Sequence, residues 1–221
     1  MSTHIPDVID HLAGIQPGSS LDTLRDQRPQ ARENAQKSYL ALFEPDFPGT
    51  VTALERHAVA TFVAGLHRQP QVIDFYAAAL RTLGSPEIAL TIDAEIARGA
   101  VEGPYGRYPE GPLTAEDTTG PDYQVSADHR DQLGARLVAA LQHAHLLVFH
   151  PRDANPAALQ RLLDAGWSTT DIVTLSQLVA FLSFQIRVVA GLRALAGASA
   201  RASAGADHMQ IFTGVLASGA V

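Results

Sequence analysis

Thr52-Ala53-Leu54-Glu55-Arg56-His57-Ala58-Val59-Ala60-Thr61-Phe62-Val63-Ala64-Gly65-Leu66, then His67-Arg68-Gln69-Pro70, then Gln71-Val72-Ile73-Asp74-Phe75-Tyr76-Ala77-Ala78-Ala79-Leu80, reads as two helices joined at Gln69-Pro70. On the first, Val51, Leu54, Ala58, Val59, Phe62 and Leu66 share one apolar stripe, and Glu55 projects into the middle of it. Two explanations fit a carboxylate there. The T-x-x-E spacing of Thr52 and Glu55 makes a capping box, and a carboxyl in an apolar setting also suits general acid or base work. The second helix opens with Pro70 at its first position, where the missing N–H costs nothing. Its buried side carries Val72, Tyr76, Ala79, Leu80 and Leu83, so Tyr76 is expected in the core with its hydroxyl satisfied.

The rest of the chain reads as further helices separated by strong stops. Residues 5–27 hold two short helical pieces split by Gln16-Pro17-Gly18-Ser19, an arm packed on the body or on a neighbouring subunit. A helix from Pro29 to Phe43 is stopped by Glu44-Pro45-Asp46-Phe47-Pro48-Gly49. Ser85-Pro86-Glu87 starts a helix that runs to Arg98. Ser126 caps another, expected to continue unbroken to Phe149. Asn155-Pro156 opens a short helix closed by Ala165-Gly166, and Ser168 to Asp171 starts the last. Ile172 to Ile186 contains no charge, so that helix must be enclosed by the core or by a subunit interface. Beyond Gly197 the chain is rich in Ala, Gly and Ser, a tail read as unstructured or swapped.

Composition narrows the function. A formal net charge of −7, with Lys37 the only lysine, leaves no basic face for nucleic acid. The chain has no Cys, so disulfides, thiolate metal sites and thiol chemistry are excluded. No secretory signal is legible, and the charge-free helix is interrupted by Ser and Gln, so the expectation is a cytoplasmic protein without a membrane span. His143 and His150 share a helix face but lack the i, i+4 spacing with a carboxylate that a metal site needs, so neither a metal nor another cofactor is expected. The longest loop, 100–127, interleaves Tyr105, Arg107 and Tyr108 with Pro and Gly. That is unlike a linker and reads as an ordered loop over a pocket or a subunit contact.

The register of Leu54-Glu55-Arg56-His57-Ala58-Val59-Ala60, with Val63-Ala64, a turn and a helix ending in Leu83-Gly84, resembles the carboxymuconolactone decarboxylase / AhpD-like superfamily, in particular its peroxidase-related branch. Leu-x-x-Ala165-Gly166-Trp167-Ser168-x-x-Asp171-Ile172-Val173 and the helix through Ser183, Gln185 and Arg187 are similar to that branch's closing helices. The similar segments cover residues 50–98 and 128–195. The resemblance implies an all-α fold, an AhpD-like multi-helix bundle with two related helical halves: an arm and helix in 1–45, a motif-bearing half in 50–99, the loop 100–127, a second half in 128–197 and the tail 198–221. It also implies a homo-oligomer and a place in antioxidant defence. The family's redox Cys positions fall on Gln69 and Val72 and its His on Tyr76, so only Glu55 survives of the motif. Without sulfur the peroxidase cycle cannot run.

Two functions follow as expectations. One is a binding or scaffold protein that retains the frame without the peroxidase chemistry. The other is a cofactor-free acid–base enzyme acting on a small carboxylate, with Glu55 and Tyr76 as its catalytic pair. In both, Gln69, Arg187, Arg107 and Tyr105 are the binding candidates. Arg187 either holds a substrate carboxylate or is buried against an acid, for which Glu55 is the nearest candidate.

Overall fold

The computed structural model describes residues 5–83 and 86–217, with side chains described through Ser199 and at Arg201. Among them the regular structure is helical: α1 (Val8–Ala13), α2 (Ser20–Asp26), α3 (Pro29–Phe43), α4 (Ala53–Leu66), α5 (Pro70–Thr82), α6 (Pro86–Gly99), α7 (Ala127–Phe149), α8 (Pro156–Asp164) and α9 (Thr169–Ala217). The 100–127 loop adds a short 3-10 turn at Pro112–Glu116 and one antiparallel bridge between Gly106 and Thr118. The cap expected from Ser85, and the Gly84 stop before it, lie outside the described residues.

The bundle is built around α4, which packs against α5, α6, α7 and α9. Every residue from Ala58 to Leu66 is buried. Its small residues allow this, because a Cβ on Gly65 would sit 2.5 Å from three side-chain carbons of Ile96. Only glycine lets α6 approach α4 that closely. Arg56, also buried, donates to the carbonyls of Leu42 (2.6 Å), Pro48 (2.9 Å) and Val51 (3.1 Å), so the turn after α3 is fastened to α4 by one guanidinium. The arm is tied down electrostatically. Arg25 and Arg32 together bridge Asp7, Asp10, Asp22 and Asp26, which fixes α1 and α2 on α3. The first half of α9 then covers α1, α3, α4, α7 and α8.

Three expectations change. The helix after Ser126 is not continuous, because Gly134 has φ 71 and ψ 159 and breaks α7. Left-handed φ at that position is open to glycine at little cost, and the break re-aims the residues that follow it. The chain beyond Gly197 is not unstructured but continues α9 to Ala217, consistent with alanine's high helix propensity, and α9 therefore extends for about 70 Å. Finally, of the two enclosures expected for α9, the core of this chain supplies one side only. Val173, Phe184 and Leu195 are 55%, 47% and 49% exposed along its other face, whereas the helix that is enclosed nearly all round is α4. The stretch Thr169–Ser199 is long and apolar enough to cross a membrane, and half of an apolar 18-residue segment within it is buried inside the protein.

Candidate functional site

Glu55 is consumed by structure. Thr52 Oγ1 accepts from the Glu55 amide (3.1 Å), and Glu55 Oε2 accepts from the Thr52 amide (2.8 Å), which completes the capping box. Its other oxygen, Oε1, accepts from Arg136 Nε at 2.8 Å. At the start of α9 the same device recurs: Ser168 Oγ accepts from the Asp171 amide (3.1 Å) and Asp171 Oδ2 accepts from the Ser168 amide (3.0 Å). Burial acts to raise the Asp171 pKa, but the bonds from Thr50 and Ser168 and the charge of Arg136 outweigh it and hold the group below the usual carboxylate range. Arg136 thus clamps two helix starts. It also lies 4.4 Å over the Trp167 ring, while its own carbonyl accepts from Trp167 Nε1 at 3.0 Å. The partner of Glu55 is therefore Arg136 rather than Arg187.

Tyr76 occupies a different place. Its hydroxyl donates to Gln185 Oε1 at 2.7 Å, both residues are fully buried, and Phe43 and Phe75 pack on its ring at 5.0 Å. Burial holds the phenol well above its ordinary pKa, so it serves as a neutral donor. Gln69 lies at the far end of α4, fourteen residues from Glu55 or about 20 Å along the helix, with its amide on the His67 carbonyl. The structure does not bring Glu55, Tyr76 and Gln69 together.

The 100–127 loop is ordered by contacts to the end of α7, about 20 Å from Arg136, and does not cover Glu55. Tyr105 donates its amide to the Phe149 carbonyl (2.6 Å) and lies against His150. Arg107 is exposed, with its amide on Asp153, and Tyr108 is covered by Arg152 at 4.1 Å. At the loop's far end Tyr123 donates to the fully buried Glu95 (2.6 Å), which also accepts from the Ser126 amide and faces His129. These bonds outweigh burial and lower the Glu95 pKa.

One candidate residue does line a cavity. Arg187 borders a space of about 610 Å³ between the end of α4, the Gly103-Pro104 turn, the end of α7 and the first half of α9. His67, at the C-cap of α4, places Nε2 3.4 Å from Ser183 Oγ, and Arg187 Nη1 donates to the Ser183 carbonyl at 3.0 Å. Burial, with the nearby Arg187 charge, pushes His67 down to about 4. The imidazole is therefore neutral near pH 7, and Arg187 carries the positive charge of the cavity. Leu147, Phe149 and Val179 supply apolar walls. A cationic rim, two neutral hydrogen-bonding groups and an apolar interior suit a small organic anion. The Gly103-Pro104 turn of the long loop forms part of this wall, but Tyr105, Arg107 and Gln69 are not among its lining residues.

Sequence reading missed Arg136, His67 and the Glu95 cluster. For His67 a signal existed in the helix-ending Leu66-His67-Arg68, since a ring following an apolar helix face is drawn inward. For Arg136 none existed, because its direction depends on the Gly134 break. Among the described residues, no three His, Asp or Glu side chains are grouped to hold a metal ion. No known family model matches this chain, and no curated protein matches it either.

Proposed function

We propose that this chain is an AhpD-like helical binding protein without thiol peroxidase chemistry, and that its ligand is a small organic anion held at Arg187, Ser183 and His67. The observation that carries this reading is the cavity beside Arg187, where charge, hydroxyl, neutral imidazole and apolar walls converge. The acid–base alternative draws no comparable support, since both oxygens of Glu55 are engaged and the Tyr76 hydroxyl is committed to Gln185. The family assignment rests on the Glu55 register and on the Ala165-Gly166-Trp167-Ser168 segment. A direct test measures binding of small aromatic carboxylates by calorimetry. Arg187→Ala should weaken binding about tenfold or more, as loss of a charge-assisted contact does. Peroxide consumption with a dithiol reductant should stay at background. Unchanged binding in Arg187→Ala, or peroxide turnover well above background, overturns the reading.

The same protein is proposed to be a homo-oligomer. Val173, Phe184 and Leu195 repeat along the outer face of α9 and form an apolar stripe that a partner copy would bury. Light scattering of the full chain should return at least a dimer. Phe184→Glu, on the exposed face, should shift the mass toward the monomer while the helical signal is retained. A monomeric wild-type protein excludes the assembly.

A further inference from the structure

We infer that the trough between α7 and α8 is a second ligand site, taking an amphipathic organic anion whose carboxylate lies between Arg130 and Arg161 and whose apolar body lies on Val138 and Ala139. The trough encloses about 430 Å³, within the range of small-molecule sites. Its α7 wall is one face of the helix after the Gly134 break, running from Ala135 to Leu146 at intervals of three and four, and Ala158 closes it from α8.

Three observations point to an anion. First, two guanidinium groups from separate helices border an apolar floor. The Arg161 guanidinium has no hydrogen bond or ion pair among the described residues, and the Arg130 guanidinium uses only Nε, on the Val125 carbonyl at 3.3 Å. Asp131 also lines the trough, yet forms no ion pair with either arginine among the described residues. Second, Arg130 and Arg161 together outweigh Asp131, so the trough keeps a net positive charge beside its apolar floor, which an incoming carboxylate would complete.

Third, the trough is lined by a buried imidazole. His143 borders it beside Arg161, and its Nε2 lies 3.2 Å from Ser176 Oγ, a residue that lines the first cavity and not the trough. Ser176 and Ser183 are seven residues apart on α9, two helical turns, and so present the same face to both histidines. His143 is 6% exposed, and its Nδ1 is buried with no partner. Burial, with the charge of Arg161, pushes it down to about 4, so near pH 7 it adds no charge of its own. The trough's positive charge belongs to the two arginines.

Calorimetric titration of the full chain with 4-phenylbutyrate tests this, with 4-phenylbutanol as the uncharged control and inorganic sulfate as competitor. Wild-type protein should bind the carboxylate and not the alcohol. Arg161→Ala should weaken one binding event about tenfold or more, and Ala139→Trp, which fills the trough, should abolish that event with the fold intact by circular dichroism. Arg187→Ala separates the two sites. If Arg161→Ala and Ala139→Trp leave binding unchanged while Arg187→Ala reduces it, the second site is refuted and the first stands. If they remove binding and Arg187→Ala does not, the second site stands alone. Equal competition by sulfate, equal binding of the alcohol, or no binding at millimolar concentration also refutes it.

Discussion

Replacing Glu55 with Ala should cost about 3–5 kcal/mol of folding stability, because it removes half of a capping box and the hydrogen-bonded carboxylate of the part-buried Arg136, leaving that guanidinium only Asp171 at 3.9 Å. For a chain of this length that corresponds to a melting temperature lower by on the order of 10 °C. The loss has two separable parts. Glu55→Gln keeps a hydrogen-bonding side chain toward the Thr52 amide but discards the charge facing Arg136, so it should recover about 1 kcal/mol, the usual worth of a cap. Arg136→Met should be milder than Glu55→Ala, because it withdraws the charge together with its desolvation and retains an apolar stem over Trp167. Thermal denaturation of the three variants, with binding measured in parallel, checks this. If Glu55→Gln abolished ligand binding without lowering the melting temperature, Glu55 would belong to a site and not to the frame.

The second large effect is acid sensitivity. His67, His143 and His145 are each pushed from the ordinary 6.5 to about 4, chiefly by burial. Arg187 adds to the shift at His67, Arg161 at His143 and His150 at His145, whereas the bond from His145 to the Gly99 carbonyl acts the other way. The sign follows from which state binds more protons. Between those values the unfolded chain protonates these rings and the folded chain does not, so stability is fully present above about 6.5 and falls as pH drops toward about 4. Three such rings, discounted for the partly exposed His67, should remove on the order of 3–5 kcal/mol between about pH 7 and about pH 5. Carboxylates held low, such as Asp171 and Glu95, lose their contribution in a more acidic window. Urea denaturation across this range should show the loss, and His143→Gln with His145→Gln should flatten it. A slope unaffected by both substitutions would assign the acid sensitivity elsewhere.

These two effects concern different levels of information in the chain. Thr52-x-x-Glu55 and Ser168-x-x-Asp171 are legible as helix starts because a cap acts within one turn and needs no distant partner. Pro70 and Pro156 as first helical residues, the stop after Phe43 and the wholly helical class follow from the same short-range rules. The lack of charge in α9 predicts enclosure by the core or by a subunit interface but not which side the core takes, and Val173 and Phe184 are on the side that this chain leaves outward. The unbroken helix expected from Ser126 to Phe149 failed at Gly134, since a glycine inside an apolar pattern can either continue a helix or break it.

Local chemistry thus set where each helix begins, which of its faces is apolar, and that no sulfur reaction is available. Tertiary structure decided the partners: Arg136 for Glu55 across 81 positions, Gln185 for Tyr76 across 109, and Ser183 for His67 across 116. A cap is satisfied by the neighbouring turn, but a buried polar side chain takes whichever group the packing of two apolar faces leaves opposite it. That choice depends on helix crossing and on one backbone break, neither of which is written in any single stretch of residues.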